Sequence, residues 1–395
     1  MENWKETHLG EDILLISGQH ILAEDYSDDS DGVPYLTGPT DFNTGKIITT
    51  KFTKSPKAMC KNGDILITVK GSGTGSLIKA DRDYCISRQL MAIRPQTWNP
   101  DFLYYVMSSH TKSFNEVSVG LIPGISRTDI LNQFVAVPPL AEQKKIAEIL
   151  STWDKSIETT EKIIAAKQKL KKSLMQRLLT GSQRFPEFHG QEWKSVHIGD
   201  VAREVSSKNS KGNQLTVLSC TKHRGLVDSL SYFGKQIFSQ NLSTYKIVKR
   251  GQFAYATNHI EEGSIGYQNL HDEALISPMY TVFQTNSEID DSFLYKLLKT
   301  ETYRHIFEAM TSGSINRRGS LRWNHFAQIK LKLPSLEEQK KIAAVLKSCD
   351  AEINVLQSKL NAIRQQKRGL MQKLLTGKVR IKTEPEKEIK KEYAV

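Results

Sequence analysis

The sequence predicts an α+β protein built twice over. Two globular mixed domains are each followed by a long α-helix, and the two helices pair as an antiparallel coiled coil in a pseudo-twofold repeat. Three observations predict it. One segment recurs at a fixed offset, each copy carries an uninterrupted helical pattern, and the regions before the copies are punctuated by short strand patterns and turn residues.

Composition sets the frame. A chain of 395 residues makes two or three domains. Lys and Arg number 55 against 43 Asp and Glu, a net charge of +12. That balance admits a nucleic-acid partner, although a solvated basic face has the same composition. With 38% hydrophobic and 25% charged residues, a membrane protein, a collagen and a mostly disordered chain are excluded. No apolar run approaches the ~18 residues of a span. The opening Met1-Glu2-Asn3-Trp4-Lys5-Glu6 lacks a signal-peptide core, so a cytoplasmic location is expected. Cys60, Cys85, Cys220 and Cys349 are scattered without a C-x-x-C pair, which predicts thiols rather than a zinc site or disulfides.

The repeat joins Pro138-Pro139-Leu140-Ala141-Glu142-Gln143-Lys144-Lys145-Ile146-Ala147 to Pro334-Ser335-Leu336-Glu337-Glu338-Gln339-Lys340-Lys341-Ile342-Ala343, an offset of 196. The offset holds without a gap to Leu174-Met175-Gln176-Arg177-Leu178-Leu179-Thr180-Gly181 and Leu370-Met371-Gln372-Lys373-Leu374-Leu375-Thr376-Gly377, with about half the positions identical. A weaker echo opens each half. Trp4-Lys5 with Leu9-Gly10-Glu11 matches Trp193-Lys194 with Ile198-Gly199-Asp200 at an offset of 189. Between these marks the halves differ almost everywhere, apart from traces such as Phe102-Leu103-Tyr104 against Phe293-Leu294-Tyr295. The expected boundaries are a first domain over 1–137, a first helix over 138–184, a second domain over 185–333, a second helix over 334–380 and a charged tail over 381–395.

Each helix opens on Pro followed by Leu-x-Glu-Gln, with acids in the first turn, and closes on Leu-Leu-Thr-Gly, where Gly suits the residue after the cap. About 40 residues of helix span roughly 60 Å. In the second, Ile342, Leu346, Cys349, Ile353, Leu356, Leu360, Ile363, Leu370 and Leu374 step by four and three over most of its length, as a coiled-coil seam does. In the first, Ile146, Leu150, Trp153, Ile157, Ile164, Leu174 and Leu178 mark a seam interrupted by Thr160, Lys167 and Lys171. The alternative is two amphipathic helices packed separately on their own domains. Pairing about a pseudo-twofold axis makes the helices antiparallel and puts the domains at opposite ends. Two such readers would meet successive major grooves of a duplex and read two short sequences across an unread spacer. The second half of each helix is basic (Lys167, Lys169, Lys171, Lys172 and Arg177, then Lys359, Arg364, Lys367, Arg368 and Lys373), a phosphate-contacting face or a solvated one.

The domains carry strand patterns at Ile13–Ile16, Ile65–Val69, Leu90–Ile93, Phe253–Tyr255 and Tyr280–Phe283, with helices near Asp101–Ser109 and Asp291–Met310. Polar, Gly-rich loops lie at 41–45, 70–76, 259–263 and 311–318. Base readout requires Arg or Lys for guanine, Asn or Gln for adenine, and Ser or Thr for either. The candidates in the first domain are Lys70, Ser72, Thr74, Arg88, Gln89, Ser126, Arg127 and Thr128. In the second they are Lys222, His223, Arg224, Asn258, His259, Ser314, Asn316, Arg317, Arg318 and Arg322, with Trp323 placed to pack on sugar or a base edge. Taken singly, each is as well read as a solvated or phosphate-contacting residue.

The doubled P-x-L-x-E-Q-x-x-I-A…L-M-Q-[RK]-L-L-T-G pattern after two divergent domains resembles the specificity subunit of type I restriction–modification enzymes, over essentially the whole chain. Gly-Asp-Ile-Leu-Ile-Thr at 63–68, Ser-Arg-Gln-Leu at 87–90 and Pro-Gly-Ile-Ser-Arg at 123–127 also resemble that family's target recognition domains. The resemblance implies a subunit without catalysis of its own. Each recognition domain would read one half of a split, asymmetric double-stranded DNA site, and the helices would set the spacer. It implies two methyltransferase subunits and motor–nuclease subunits as partners, no membrane, and no cofactor on this chain, with S-adenosylmethionine, ATP and magnesium in the partners. The second domain departs from the first at nearly every loop, which implies a different half-site.

Competing readings rest on weaker motifs. Asn99-Pro100-Asp101-Phe102 lacks the second Pro of the N-P-P-[FY] motif of adenine methyltransferases, and Asp101 is better read as capping the following helix. Gly71-Ser72-Gly73-Thr74-Gly75 lacks the Lys-Ser/Thr of a P-loop and is better read as a structural or DNA-facing turn. A self-standing methyltransferase is therefore disfavoured. A non-catalytic coiled-coil scaffold is the other alternative, and it would lack the steep salt dependence of duplex binding.

Overall fold

The computed structural model describes residues 4–42, 45–71, 73–117, 124–312 and 320–382. The chain divides into two units, one of residues up to 161 with those from 358 onward, the other of residues 162–357. Each unit thus takes one half of each long helix.

In the first unit, Lys5–His8 pairs antiparallel with Phe134–Val137, bringing the two ends of the head together. A four-stranded antiparallel sheet follows in the order Ile13–Ser17, Leu90–Pro95, Ile65–Thr68, Leu77–Lys79. Ile65–Thr68 is buried at every position because its two faces serve different cores. Ile65 and Ile67 join the core against the helices, and Leu66 faces the core against a second sheet. That sheet runs Tyr26–Ser27, Phe52–Thr53, Val33–Leu36, Tyr84–Ile86, Met59–Cys60, with Val33–Leu36 and Tyr84–Ile86 parallel. Helix Pro100–Val117 begins with Pro at its first position. Its cap differs from expectation: the Phe102 N–H donates to Asn99 Oδ1 (3.0 Å), while Asp101 pairs with Lys79. Asn99 stands where the first free N–H groups can reach its side chain, and Asp101 already lies within the helix.

The second unit repeats this plan. Lys194–His197 pairs with Lys330–Leu333. A sheet follows in the order Ala202–Val205, Tyr280–Thr285, Phe253–Ala256, Ile265–Tyr267. Phe253 and Tyr255 face one core and Ala254 the other. The remaining sheet runs Gly225–Asp228, Val217–Thr221, Glu273–Ile276, Lys246–Lys249, again with one parallel pair at its centre. The single helix expected over 291–310 is two, Asp291–Leu298 and Glu301–Ser312. They part at Lys299, whose amino group donates to the carbonyls of Lys222 (2.8 Å) and Gly263 (2.6 Å).

The long helices span Leu140–Leu178 and Leu336–Leu375. Within the first unit Lys367 meets Asp154 (2.5 Å) and Arg364 meets Glu161. As one helix ascends the other descends, so they pair antiparallel. Within the second unit Lys171 meets Asp350 and Lys167 meets Glu352 (2.7 Å), in the same sense. Of the expected seam, Ile146, Leu150, Ile164, Leu178, Ile342, Leu346, Leu360 and Leu374 are buried, most of them in the cores of the heads, while Trp153, Ile157, Leu174, Cys349, Ile353, Leu356, Ile363 and Leu370 are half-buried. The three interruptions have local reasons. Thr160 returns its hydroxyl to the Ser156 carbonyl (2.7 Å), and Lys167 and Lys171 reach acids of the facing helix. Part of the basic character of the helix ends is thereby neutralised. Cys60 and Cys85 are buried thiols, Cys220 and Cys349 half-buried ones. No helix among the described residues is long and apolar enough to cross a membrane.

Candidate DNA-reading surfaces and their helical mounts

Each head is fixed to the start of a long helix by the Glu-Gln pair of the repeated motif. Gln143 donates to the Pro138 carbonyl (2.9 Å) and accepts from the Asn99 N–H (2.8 Å). Gln339 donates to the Pro334 carbonyl (3.0 Å) and accepts from the Asp290 N–H (2.8 Å). Each glutamine thus ties its helix to the start of the main head helix.

The adjacent acid closes a latch. Glu142, 2% exposed, accepts from Arg380 Nε (3.0 Å) and Nη2 (2.9 Å), the Ile381 N–H (3.0 Å) and Trp4 Nε1 (3.2 Å). Burial pushes the Glu142 carboxyl up, but Arg380 and the two N–H donors outweigh it and hold it below the ordinary range. In the second unit Glu338, fully buried, accepts from Arg184 Nε (2.9 Å) and Nη2 (2.5 Å). Both guanidinium groups lie over an indole, Arg380 on Trp4 at 5.4 Å and Arg184 on Trp193 at 6.0 Å. The residues of the two latches correspond at the repeat offsets of 196 and 189.

Further along the helices, Asp154 accepts from Tyr105 Oη (2.8 Å) and pairs with Lys367. Its counterpart Asp350 lies between Lys171 and Lys296. Burial raises the Asp350 carboxyl and the two lysines lower it further, leaving it below the usual value.

The candidate readers fall on loops that this framework positions. In the first unit the Val69 N–H donates to the Gln89 carbonyl (2.8 Å) and the Ile125 N–H to the Val69 carbonyl (2.9 Å). Lys70 bridges Gly124. Three loops are thereby knitted together, with Lys70, Arg88, Gln89, Ser126, Arg127 and Thr128 exposed along them. Thr74 is half-buried and closes a turn on the Gly71 carbonyl (2.6 Å), so that glycine-rich stretch is a hairpin turn. Ser126 caps helix Arg127–Leu131 reciprocally with Asp129 and also meets Thr128 Oγ1 (2.8 Å). Arg127 is tied back to the Leu15 carbonyl (3.0 Å) and Ser17 (2.9 Å). Lys70, Arg88 and Gln89 are therefore the side chains of this cluster that these local bonds do not engage.

In the second unit Lys299 fastens the Lys222–Arg224 turn to the loop ending at Gly263. The Leu321 N–H donates to the Thr257 carbonyl (2.9 Å), which ties the segment leading to Arg322 to the one leading to Asn258. Lys222, His223, Arg224, His259 and Arg322 are exposed and Asn258 is half-buried. His259 pairs with Glu262 (3.4 Å), and Arg224 lies over Tyr232 (5.6 Å). Trp323 instead turns inward, 5.6 Å from Phe283 and 5.8 Å from Phe326 in the aromatic core. Ser72, Ser314, Asn316, Arg317 and Arg318 lie outside the described residues. Sequence reasoning missed the exposed apolar side chains Tyr232, Phe233, Ile237 and Met279. Ile237 and Met279 line a hollow of about 340 Å³ with Asn258 and His259. The unburied apolar run at 230–238 was the signal for it.

Residues 1–168 and 190–365 each match the type I restriction modification DNA specificity domain. The chain belongs to that family. The type I restriction enzyme MjaVIII specificity subunit of Methanocaldococcus jannaschii is 28% identical, over 96% of this chain and 94% of its own length. The EcoDI specificity subunit of Escherichia coli is 22% identical over 94% and 87%. The fold is that of the type I S subunit from M. genitalium (TM-score 0.57, 17% identity, 94% of this chain and 96% of that one). It is likewise that of the HsdS subunit from Thermoanaerobacter tengcongensis (TM-score 0.53, 17% identity, 96% and 98%). This specificity subunit thus carries two recognition domains. It is a non-catalytic DNA-recognition component that assembles with other restriction–modification subunits.

Proposed function

We propose that this specificity subunit reads a bipartite, asymmetric DNA site, one half-site per head, with the paired helices setting the length of the unread spacer. Lys70, Arg88 and Gln89 in the first head, and Lys222, His223, Arg224, Asn258, His259 and Arg322 in the second, are the residues assigned to the duplex. The helices recruit two adenine methyltransferase subunits, and motor–nuclease subunits join that core. S-adenosylmethionine, ATP and magnesium belong to those partners, and the complex works in the cytoplasm.

One observation carries this reading. The Glu-Gln pair, the arginine and the tryptophan that mount each head recur in both units, while the loops they hold differ. A device with duplicate mounts and unlike heads addresses two unlike targets at a fixed spacing. The polar and cationic side chains on those loops are of the kinds that pair with base edges and phosphates. Mapping N6-methyladenine across the genome with and without this gene tests it. The expected result is loss of one motif made of two short, different words separated by a constant gap. An uninterrupted word, or no change, overturns the reading.

A further inference from the structure

The two heads hold their loops with one hydrogen-bond scheme, and it aligns positions whose residues differ. In the first, the Val69 carbonyl accepts the Ile125 N–H (2.9 Å) and the Val69 N–H donates to the Gln89 carbonyl (2.8 Å). In the second, the Thr257 carbonyl accepts the Leu321 N–H (2.9 Å) and the Thr257 hydroxyl donates to the Met279 carbonyl (3.0 Å). The turns that carry Gln89 and Met279 also close alike. The Gln89 N–H donates to Ser87 Oγ (3.2 Å) and the Leu90 N–H to the Ser87 carbonyl (2.9 Å). The Met279 N–H donates to Ser277 Oγ (3.3 Å) and the Tyr280 N–H to the Ser277 carbonyl (3.0 Å). The backbone therefore equates Ser87-Arg88-Gln89 with Ser277-Pro278-Met279, and Lys70 with Asn258.

At this shared post the chemistry has been exchanged. The first head offers the exposed guanidinium of Arg88 and the amide of Gln89. The second offers a proline and a thioether chain that is 59% exposed. The bond to Thr257 uses the Met279 backbone carbonyl, so the turn does not require a methionine. Met279 is not alone either. Ile237, 49% exposed, lines with it the hollow of about 340 Å³ that Asn258 also borders. Two exposed apolar side chains on one hollow, amid polar and cationic neighbours, mark a contact with an apolar group. In the major groove only thymine presents one, its 5-methyl, and an asparagine beside it suits adenine.

We propose that Met279 is a specificity-determining residue of the second head, packing with Ile237 on the 5-methyl group of a thymine in that head's half-site. It acts from the post at which Gln89 addresses a base in the first head. The unbranched, flexible thioether chain adapts its shape to the methyl. This role rests on the proposed reading of a split DNA site, and it supplies a chemical reason for the two halves to differ.

Deoxyuridine tests it, because it pairs as thymine does and lacks only that methyl. The full chain, assembled with its methyltransferase, is titrated with duplexes of the motif returned by methylation mapping. Each thymine of either strand is replaced singly by deoxyuridine. One thymine is expected to lose about fourfold in affinity, the worth of one buried methyl group. Met279→Ala is expected to bind the natural duplex at least that much more weakly and to be indifferent to deoxyuridine at that position. Met279→Leu keeps the apolar contact and is expected to keep the deoxyuridine penalty, whereas Met279→Gln, which copies the first head, is expected to lose it. A general folding defect would lower binding to both duplexes alike and would not separate these variants. A motif whose second half lacks thymine, no thymine that responds, or a penalty that persists in Met279→Ala and Met279→Gln would overturn the role. A methylation map without a split motif refutes the underlying reading instead, and that result is seen before any duplex is made.

Discussion

The two units differ least where they grip the long helices and most at the outer edge of the second sheet of each head. In both, that sheet has the same middle: a parallel pair with an antiparallel strand beside it, made by Val33–Leu36, Tyr84–Ile86 and Met59–Cys60 in one and by Val217–Thr221, Glu273–Ile276 and Lys246–Lys249 in the other. Beyond it the first unit adds Phe52–Thr53 and Tyr26–Ser27, whereas the second adds Gly225–Asp228 and the short helix Ser229–Phe233. Variation is thus admitted at an edge, where a new strand or loop disturbs no core. It is refused at the mount, where a change would leave a buried carboxylate or glutamine unpaired. Where specificity can change is therefore set by which backbone and side-chain groups are already committed.

The coarsest way to break this comparison is to exchange a whole head or shorten a helix. Replacing residues 4–137 with the head of another such protein is expected to change one half-site and leave the other untouched in a methylation map; a change in both halves contradicts separable heads. Deleting seven residues from one long helix, keeping the seam in phase, is expected to alter the spacer or abolish methylation with both half-sites unchanged.

The latches offer a finer test. Glu338 is left with a buried charge if Arg184 is removed, whereas Glu142 keeps the Ile381 N–H and Trp4 Nε1 when Arg380 is lost. Arg184→Ala is expected to cost about 3 kcal/mol and Arg380→Ala about 2 kcal/mol, read by denaturant unfolding of each variant. The reverse order would show that the extra donors do not hold the acid.

Asp350 gives a pH dependence. Its carboxyl lies below the ordinary value in the folded chain, so its contribution is present above the unfolded pKa and is lost as pH falls through the depressed folded one. The margin of the wild type over Asp350→Asn is expected to hold from neutral pH down to about 4 and to shrink below it. A margin that does not change with pH would remove the ion pairs as its source. The smallest effect concerns the indoles. Trp4 Nε1 donates to Glu142, while Trp193 Nε1 is buried without a hydrogen-bond partner. Trp4→Phe is expected to cost about 1 kcal/mol more than Trp193→Phe in thermal unfolding.

The long helices and their seam were legible because a repeat and a four–three spacing are local properties of sequence. Every strand pattern named in advance also became a strand, although Ile65–Thr68 owes its continuous burial to two cores that no window reveals. The meaning of Glu142 was hidden. It reads as an acid complementing a helix dipole, and its actual partner Arg380 lies 238 residues away. Asp101 was read as the cap, but the helix starts at Pro100, one residue earlier than that reading requires, which leaves Asn99 at the cap position. Of the candidate readers, Trp323 was claimed by an aromatic core and Ser126 by a cap, whereas within the first head backbone hydrogen bonds join the loops carrying Lys70 and Gln89, and within the second Lys299 joins the Lys222 turn to the loop ending at Gly263. Fold follows from pattern over short stretches, while a surface is assembled by contacts that cross long ones.

The latch also has a topological consequence. Arg184 and Trp193 are joined by residues 185–192, and Arg380 and Trp4 make the same stacked pair with no peptide link between them. The noncovalent contact stands in for a covalent junction. A chain opened between 185 and 192 and sealed from 380 to 4 by a linker is expected to keep both stacked pairs, so that the two halves fold in either order of synthesis, as circular dichroism and thermal unfolding of the permuted chain would show.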